Sequence, residues 1–156
     1  MIDKVPITRE GLEKLRKELQ SILTVDRPKN IKAIAEARAH GDLNENAEYH
    51  AAKERQAFLD GRIHELEMAI NQSEVIEIDA AQKERIIFGA IVELRNIAKD
   101  TNVVYQLVGP YESDPENGKI SVTSPLGKAL IGKEEEDSVT IKTPGGIQEF
   151  EIVEIR

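Results

Sequence analysis

The organisation of this chain is decided by one short stretch, Gly41-Asp42-Leu43-Asn44-Glu45-Asn46-Ala47-Glu48-Tyr49. Segments with helical periodicity lie on both sides of it, so the stretch is predicted to be the tip of a helical hairpin. Three carboxylates, those of Asp42, Glu45 and Glu48, are crowded into the tip. Because a hairpin tip lies far from the core of its own protein, these groups either cap a helix or face a partner molecule.

The two flanking segments carry matching apolar seams. The first helix is predicted to follow Thr8 as its N-cap, and its seam residues are Leu12, Leu15, Leu19 and Ile22. The second helix is predicted to run from about Asp42 to Gln72, and its seam residues are Ala52, Leu59, Ile63, Leu66 and Ile70. Narrow seams at spacings of three and four residues indicate an antiparallel coiled coil.

The pattern of the first helix slips after Leu23, and Pro28 lies at the slip. A proline inside a helix removes one backbone hydrogen bond and kinks the axis. We therefore expect either a bend near Arg27-Pro28 or a break at which Asp26 caps a new helix. The periodicity is compatible with both alternatives.

From Ser73 onward the period changes from helical to alternating, which is typical of strands. Strands are predicted at residues 75–78, 85–88, 90–94, 103–108, 119–122, 139–142 and 150–153. One short helix is predicted between strands, with Ser124 as N-cap, Pro125 as its first residue and Gly132 as its stop. The fold class is therefore α+β, with a helical domain at 1–74 and an antiparallel sheet domain at 75–156.

Composition excludes several classes of function. The 156 residues contain no Cys, so disulfides, thiolate metal sites and cysteine nucleophiles are ruled out. The sequence contains none of the nucleotide-binding or hydrolase motifs GxGxxG, P-loop, GxSxG and HExxH. Without an apolar run typical of a signal peptide or a membrane span, the protein is expected to be cytoplasmic and to have no membrane partner.

The charge of the chain is unevenly distributed. The net charge is −8, but the first 41 residues hold 9 basic against 6 acidic residues. Contact with a polyanion is therefore expected of the N-terminal half. Three basic residues, Arg38, Lys53 and Arg55, lie close to the tip, and three more, Arg27, Lys29 and Lys32, lie further along the hairpin. These cations either guide a single-stranded phosphate backbone or form ordinary surface pairs with Glu36 and Glu54.

The tip carboxylates have two interpretations. Asp42, Glu45 and Glu48 recur every three residues and supply the hard oxygen ligands that Mg²⁺ prefers, but only half of a site. Alternatively, Asp42 and Glu45 match the N-cap and N3 positions of a capping box. A zinc site that adds His40 and His50 is a third alternative, whereas solvent-exposed side chains are the default for these histidines.

Three stretches of the sequence carry a resemblance to a known family. They are residues 34–53, residues 120–125 running into 130–134, and residues 141–146. On these stretches, and along nearly its full length, the chain resembles the GreA/GreB family of bacterial transcript cleavage factors. The resemblance implies an N-terminal antiparallel coiled coil and a C-terminal domain with an FKBP-like fold.

The resemblance also implies a mechanism. Family members dock at the rim of the secondary channel of RNA polymerase, which implies contacts near Ser121, Ser124 and Pro125. The coiled coil reaches the catalytic centre, where residues that match Asp42 and Glu45 help to hold the second Mg²⁺ and the polymerase then cuts backtracked RNA. The factor would thus act as a monomer and not as an enzyme, and it would hold no Mg²⁺ stably alone. We further expect Arg38, Lys53 and Arg55 to guide the displaced 3′ segment of the RNA.

Two other functions are compatible with such a chain. An FKBP-like domain suggests a prolyl isomerase, but those pockets are lined by aromatic residues, and this chain has no Trp, three Tyr and three Phe. A regulator that occupies the secondary channel without stimulating cleavage is the second. The intact tip stretch favours cleavage.

Overall fold

A computed structural model of the chain describes residues 4–41 and 45–156. Residues 12–72 form one unit, a helical hairpin. Its helices are α1 (Arg9–Ser21, which begins just before the unit), α2 (Arg27–Arg38) and α3 (Ala47–Gln72), with a π-helical turn, Ile22–Asp26, between α1 and α2. Among the described residues, none of the helices combines the length and the apolar character needed to cross a membrane.

The predicted apolar seam holds the hairpin together. Ile22, Leu59 and Leu66 are buried in it. Leu15, Leu19 and Ile63 are partly buried against them. These residues recur at helical spacing because only one narrow stripe of each helix faces the other.

One polar residue is buried among the small side chains of α2 and α3. Asn30 is 8% exposed, and its Nδ2 donates a hydrogen bond of 2.9 Å to the carbonyl oxygen of Ala52. Ala52 is buried, as its predicted place in the seam requires. If α3 slid along α2, the buried amide would lose this hydrogen bond and remain unsatisfied, which is unfavourable. Asn30 therefore fixes the register of α2 against α3.

The π-helical turn accounts for the slip of the sequence pattern. The backbone N–H of Arg27 bonds to the carbonyl of Ile22, five residues earlier, and Pro28 follows directly. A π turn inserts one extra residue, so the apolar positions after it lie on a different phase. The alternative of a break capped by Asp26 is wrong, because Asp26 has helical dihedral angles and its side chain makes no cap hydrogen bond.

A second tie crosses the hairpin between α1 and α3. The Arg62 guanidinium donates two hydrogen bonds to Glu18, of which Nη2 to Oε1 is 2.9 Å. This hydrogen bond lowers the pKa of Glu18, and partial desolvation opposes the shift. Because the folded pKa is depressed, the contribution of Glu18 to stability is present above its unfolded pKa. It is lost as the pH falls through the folded value.

The second unit groups Ser73–Arg156 with the segment that ends at Gly11. Its strands are β1 (Val5–Ile7), β2 (Ser73–Val75), β3 (Ile91–Asn96), β4 (Thr101–Val108), β5 (Lys119–Ser121), β6 (Ser138–Thr143) and β7 (Gly146–Ile155). The sheet order is β5-β4-β3-β7-β6, antiparallel except for β4–β5. Strands and helices are thus segregated, as the α+β prediction requires.

The core of this unit lies on one face of the sheet. Its fully buried members include Val92, Leu94, Leu107, Leu130 and Ile152. Their positions alternate along each strand, because successive side chains of a strand point to opposite faces. Leu130 comes from the short helix α4 (Pro125–Leu130), which packs on this face.

Helix α4 forms as the sequence predicts. The Ser124 Oγ accepts a hydrogen bond of 3.1 Å from the backbone N–H of Gly127, which makes Ser124 its N-cap. Gly132 has φ of +82°, a left-handed conformation that favours glycine and ends the helix.

One strand prediction is wrong, and another is wrong in part. Residues 85–88 form no strand, although both backbone groups of Ile86 are bonded, to Lys133 and Gly132, and its side chain is 1% exposed. The alternation there reflects one buried anchor in a loop. The predicted strand at 75–78 ends at Val75, with one further bond from Ile76 N–H to the carbonyl of Ile7.

The N-terminal segment belongs with the sheet unit, which differs from the predicted boundary at residues 74 and 75. Strand β1 pairs with β2 in parallel, and Thr8 is buried behind it. The Thr8 Oγ1 accepts a hydrogen bond of 3.0 Å from Gly11 N–H, so Thr8 caps α1 as predicted. The sequence pattern alone could not show that three residues before the helix form a strand.

A single carboxylate fixes this segment. Glu112 Oε2 accepts hydrogen bonds from the N–H groups of Thr8, at 3.0 Å, and of Gly109, at 2.8 Å. The hydroxyl of Thr8 also donates to Glu112. We call Thr8, Gly109 and Glu112 the Glu112 clamp. It joins residues 104 positions apart in the sequence.

The clamp leaves no room for a side chain at Gly109. A Cβ at this position would lie 1.8 Å from the carbonyl oxygen of Pro6, which is main chain and cannot swing away. The φ of Gly109 is −78°, which any residue can adopt, so backbone conformation is not the reason for a glycine. Glycine is required because the two backbone segments lie too close together for a side chain.

Candidate functional site at the tip of the hairpin

Helix α2 ends in a tight turn. The backbone N–H of His40 donates to the carbonyl of Ala37 at 3.1 Å, three residues earlier, which narrows the last turn. Gly41 then adopts φ of +116°, a left-handed conformation in which other residues are strained. Asp42 follows and lies outside the described residues.

Helix α3 begins at Ala47, five residues later than predicted, and Asn46 is its N-cap. The Asn46 Oδ1 accepts a hydrogen bond of 3.1 Å from Tyr49 N–H. Its Nδ2 donates to the carbonyl of Ala37 at 2.6 Å, across the turn. Asparagine is suited to this place because its amide both accepts and donates, whereas an aspartate could only accept.

The capping-box interpretation of Asp42 and Glu45 is therefore wrong. Glu45 precedes the N-cap, so it does not occupy the N3 position, and its side chain is exposed. The signal that could have located the cap is Asn46 itself, because Asn is about as good an N-cap as Asp.

Glu48 lies in the first turn of α3, and its Oε2 is 3.8 Å from His40 Nε2. Together with Glu45 it borders a shallow surface depression at the tip, which is lined by His40, Glu45, Asn46, Ala47 and Glu48. Of the three predicted tip carboxylates, the structure thus brings Glu45 and Glu48 to one depression.

The described part of the tip does not by itself form a metal site. Among residues 4–41 and 45–156, no three His, Asp or Glu side chains are grouped so that they could hold a metal ion. Carboxylate oxygens are nevertheless the donors that Mg²⁺ prefers. The zinc alternative gains no support, because His40 faces Glu48 and the His50 ring packs edge-on against Tyr49 at 5.7 Å.

The basic residues behind the tip differ in their partners. Lys32 lies 3.9 Å from Glu36, and Arg27 lies 3.6 Å from Asp60. Within the part of the chain that the structure describes, Arg38, Lys53 and Arg55 form no such ion pair. The predicted surface pairs therefore use Lys32 and leave the three candidate RNA-contact residues available.

Two of these cations lie over aromatic rings, which sequence reasoning did not foresee. The Arg38 guanidinium is 5.8 Å from the centroid of Tyr49. The Arg55 guanidinium is 5.4 Å from the centroid of Phe58. Arg55 and Phe58 stand three residues apart on α3, a spacing that places them on one face of the helix.

The predicted docking residues of the sheet unit have different surroundings. Ser121 is only 6% exposed, and its Oγ lies 2.7 Å from the hydroxyl of Thr123. Ser124 is half-buried as the cap of α4, whereas Pro125 is exposed. The Ser121 side chain is thus buried within the turn, whereas Pro125 and the exposed part of Ser124 are accessible from solvent.

Asn46→Asp tests the dual role of the cap. An aspartate keeps the bond from Tyr49 N–H but places a negative oxygen where Nδ2 meets the carbonyl of Ala37. We expect a loss of about 1–2 kcal/mol in the free energy of unfolding, similar to the loss in Asn46→Ala. Urea denaturation checks this, and an aspartate variant as stable as wild type would contradict the cross-turn bond.

Comparison with known proteins identifies the family. Residues 5–75 match the family described as transcription elongation factor, N-terminal, and residues 81–156 match transcription elongation factor, GreA/GreB, C-term. The transcription elongation factor GreA of Alkalilimnicola ehrlichii is 53% identical and aligns over 99% of both chains. That of Syntrophus aciditrophicus is 54% identical over 99% of this chain and 96% of its own.

A solved structure also aligns along nearly the whole chain. GreA factor homolog 1 (Gfh1) of Thermus thermophilus is 30% identical, covers 98% of this chain and 99% of its own, and has a TM-score of 0.43. The assignment itself rests on the two family matches and the full-length relatives, which agree. The chain belongs to the GreA/GreB family of transcription elongation factors.

Proposed function

We propose that this protein acts on RNA polymerase by inserting its helical hairpin into the secondary channel. There the tip supplies the carboxylates of Asp42 and Glu45 to the active site of the polymerase. The supplied groups stimulate the polymerase's own cleavage of backtracked RNA. The protein is thus a stimulator in trans and not itself an enzyme.

The observation that carries this proposal is the position of Asn46. Asn46 caps α3 and bridges to Ala37, so the helix start does not require Glu45. Glu45 stands exposed beside the cap, outside the helix. Within residues 4–41 and 45–156, Glu45 forms no ion pair or hydrogen bond, so its carboxylate is available to a partner.

The chemistry of the tip fits Mg²⁺ shared with the polymerase. When bound, Mg²⁺ activates water and stabilises the leaving oxygen in phosphodiester hydrolysis. Asp42 and Glu45 would offer oxygen ligands. Asn46, the neighbour of Glu45, is held in place by its two hydrogen bonds. The polymerase would provide the remaining ligands.

A cleavage assay on a stalled, backtracked elongation complex tests the proposal. The wild-type protein should shorten the RNA from its 3′ end and restart elongation in the presence of Mg²⁺. A protein that binds the polymerase and competes for the channel without shortening the RNA would instead be a channel-binding regulator. The assay distinguishes these two functions directly.

We further propose that Pro125 and the exposed part of Ser124 contact the polymerase at the channel entrance. The protein would act there as a monomer in the cytoplasm, since one tip completes one active site. Pro125→Glu should raise the concentration needed for half-maximal cleavage without lowering the maximal rate. Unchanged competition for the polymerase would place the contact elsewhere.

The cations Arg38, Lys53 and Arg55 provide a further prediction. We expect them to guide the phosphates of the displaced RNA, because they form no ion pair among the described residues. Replacing all three with Gln should weaken crosslinking to the RNA and flatten the salt dependence of cleavage. For every phosphate that is no longer neutralised, the logarithmic slope should fall by about 0.7.

Lys32→Gln is the matched control for this prediction. Lys32 lies on the same hairpin but is paired with Glu36. Its replacement should leave the slope unchanged. A triple variant with the wild-type slope would show that the three cations are ordinary solvated charges.

A further inference from the structure

Among the described residues, Phe58 does not belong to the apolar seam of the hairpin, so packing there does not require its ring. It is 63% exposed on α3, which makes it the most exposed of the six aromatic residues in the chain. The residues of α3 that are buried in the seam include Leu59 and Leu66, and Phe58 is outside this group. A ring this exposed presents an apolar face that a partner could cover.

Gly61 lies three residues further along α3 and is equally unexplained by packing. A Cβ at this position would meet nothing within 4 Å in the described chain. A glycine inside a helix lowers stability relative to alanine, and no close approach or positive φ requires one here. Because residues three apart on a helix are surface neighbours, Gly61 leaves the helix surface next to Phe58 uncovered.

An arginine lies over the ring, and basic residues predominate on the neighbouring helix α2. Arg55 lies over Phe58 and also lines a depression with Lys29, Asn30 and one acidic residue, Asp26. Helix α2 carries four basic residues and one acidic residue, in a chain whose net charge is −8. This local excess of positive charge favours an anionic partner over a neutral protein surface.

We propose that Phe58, Arg55 and the open space at Gly61 form a stacking site for an unpaired base of single-stranded RNA. Exposed aromatic rings flanked by arginines bind bases through their faces, while neighbouring cations hold the phosphates. The inference rests on the proposed function, which brings extruded RNA to the hairpin. It adds base contact to a surface so far considered only for phosphates.

The site is separate from the tip. Phe58 is eleven residues from the start of α3, or about 17 Å along the helix axis. A short extruded segment that ends at the tip would not reach it, whereas a longer one would. The site would therefore favour complexes with a long displaced 3′ segment.

Binding of the full-length protein to two probes at low salt tests this inference. One probe is single-stranded oligoadenylate, and the other is an abasic ribose-phosphate oligomer of equal length and charge. We expect Phe58→Leu to weaken oligoadenylate binding about tenfold, as loss of one stacked base implies. Binding of the abasic oligomer should not change, and Phe58→Trp should bind oligoadenylate at least as well as wild type.

Gly61→Leu separates this site from a purely structural role. Leucine is a better helix former than glycine, so the variant should melt at or above the wild-type temperature. It should nevertheless bind oligoadenylate more weakly, because its side chain fills the space beside the ring. Met68→Leu, at another exposed apolar position of α3, is the control and should bind as wild type does.

Three results would overturn the inference. They are absence of oligoadenylate binding by the wild type, equal binding by wild type and Phe58→Leu, and an equal decrease in affinity for both probes. If Phe58→Leu instead weakened binding to polymerase without nucleic acid, the ring would be a protein contact. Failure of the proposed function would be recognised separately, because the wild type would then not stimulate cleavage.

Discussion

Asp42→Asn is expected to reduce stimulated RNA cleavage by about 100-fold, because removal of residues that only orient metal ligands already costs about 10- to 100-fold. The amide has nearly the shape of the carboxylate but lacks its charge, so Mg²⁺ loses an anionic ligand. Because Asn46 is the N-cap of α3, the melting temperature should remain near that of the wild type. Single-turnover cleavage at saturating factor measures the effect.

Glu45→Gln should produce a similar loss for the same reason. The double variant should cleave no more slowly than the less active single variant, because both changes disable one shared metal site. Raised Mg²⁺ should restore part of the activity of each single variant by mass action. Glu48→Gln is the matched control, since Glu48 lies in the first turn of α3 against His40 and should retain most activity.

Normal cleavage by both Asp42→Asn and Glu45→Gln would exclude a catalytic role for the tip. Helix capping would not then explain the carboxylate of Glu45 either, because Glu45 lies outside α3. A protein that still competes for the polymerase would in that case be the channel-binding regulator.

The apolar seams of the hairpin could be predicted because they depend on periodicity alone. Leu59 and Leu66 are buried where a spacing of seven residues places them. The cap of Ser124 on α4 was also predictable, since Ser followed by Pro is a strong local signal for a helix start. Local rules decide such features.

The features that sequence reasoning missed depend on contacts between distant residues. Asp42 and Asn46 are comparable caps by propensity, and Asn46 is preferred because its amide also reaches Ala37 across the turn. Strand β1 is too short to show a pattern, and it exists because Ser73–Val75 lies beside it. The π turn is fixed by Pro28 and by the need to keep both seams in contact.

Gly109→Ala is expected to lower the free energy of unfolding by about 2–4 kcal/mol, a large effect for one methyl group. The added Cβ would lie 1.8 Å from the carbonyl oxygen of Pro6, so β1 must move away. That movement breaks the hydrogen bonds of Glu112 to Thr8 and Gly109, which leaves buried N–H groups without partners. Equilibrium denaturation by urea measures the loss.

Gly145→Ala is the control, because a Cβ there would lie 3.9 Å from Thr143 Oγ1, an ordinary contact distance. Glu112→Ala should approach the loss of Gly109→Ala, since both remove the same bonds, and the double variant should lose less than the sum. In both single variants a protease should cut the N-terminal segment faster than in the wild type. Wild-type stability and protection in Gly109→Ala would mean that β1 does not depend on the Glu112 clamp for its place beside β2.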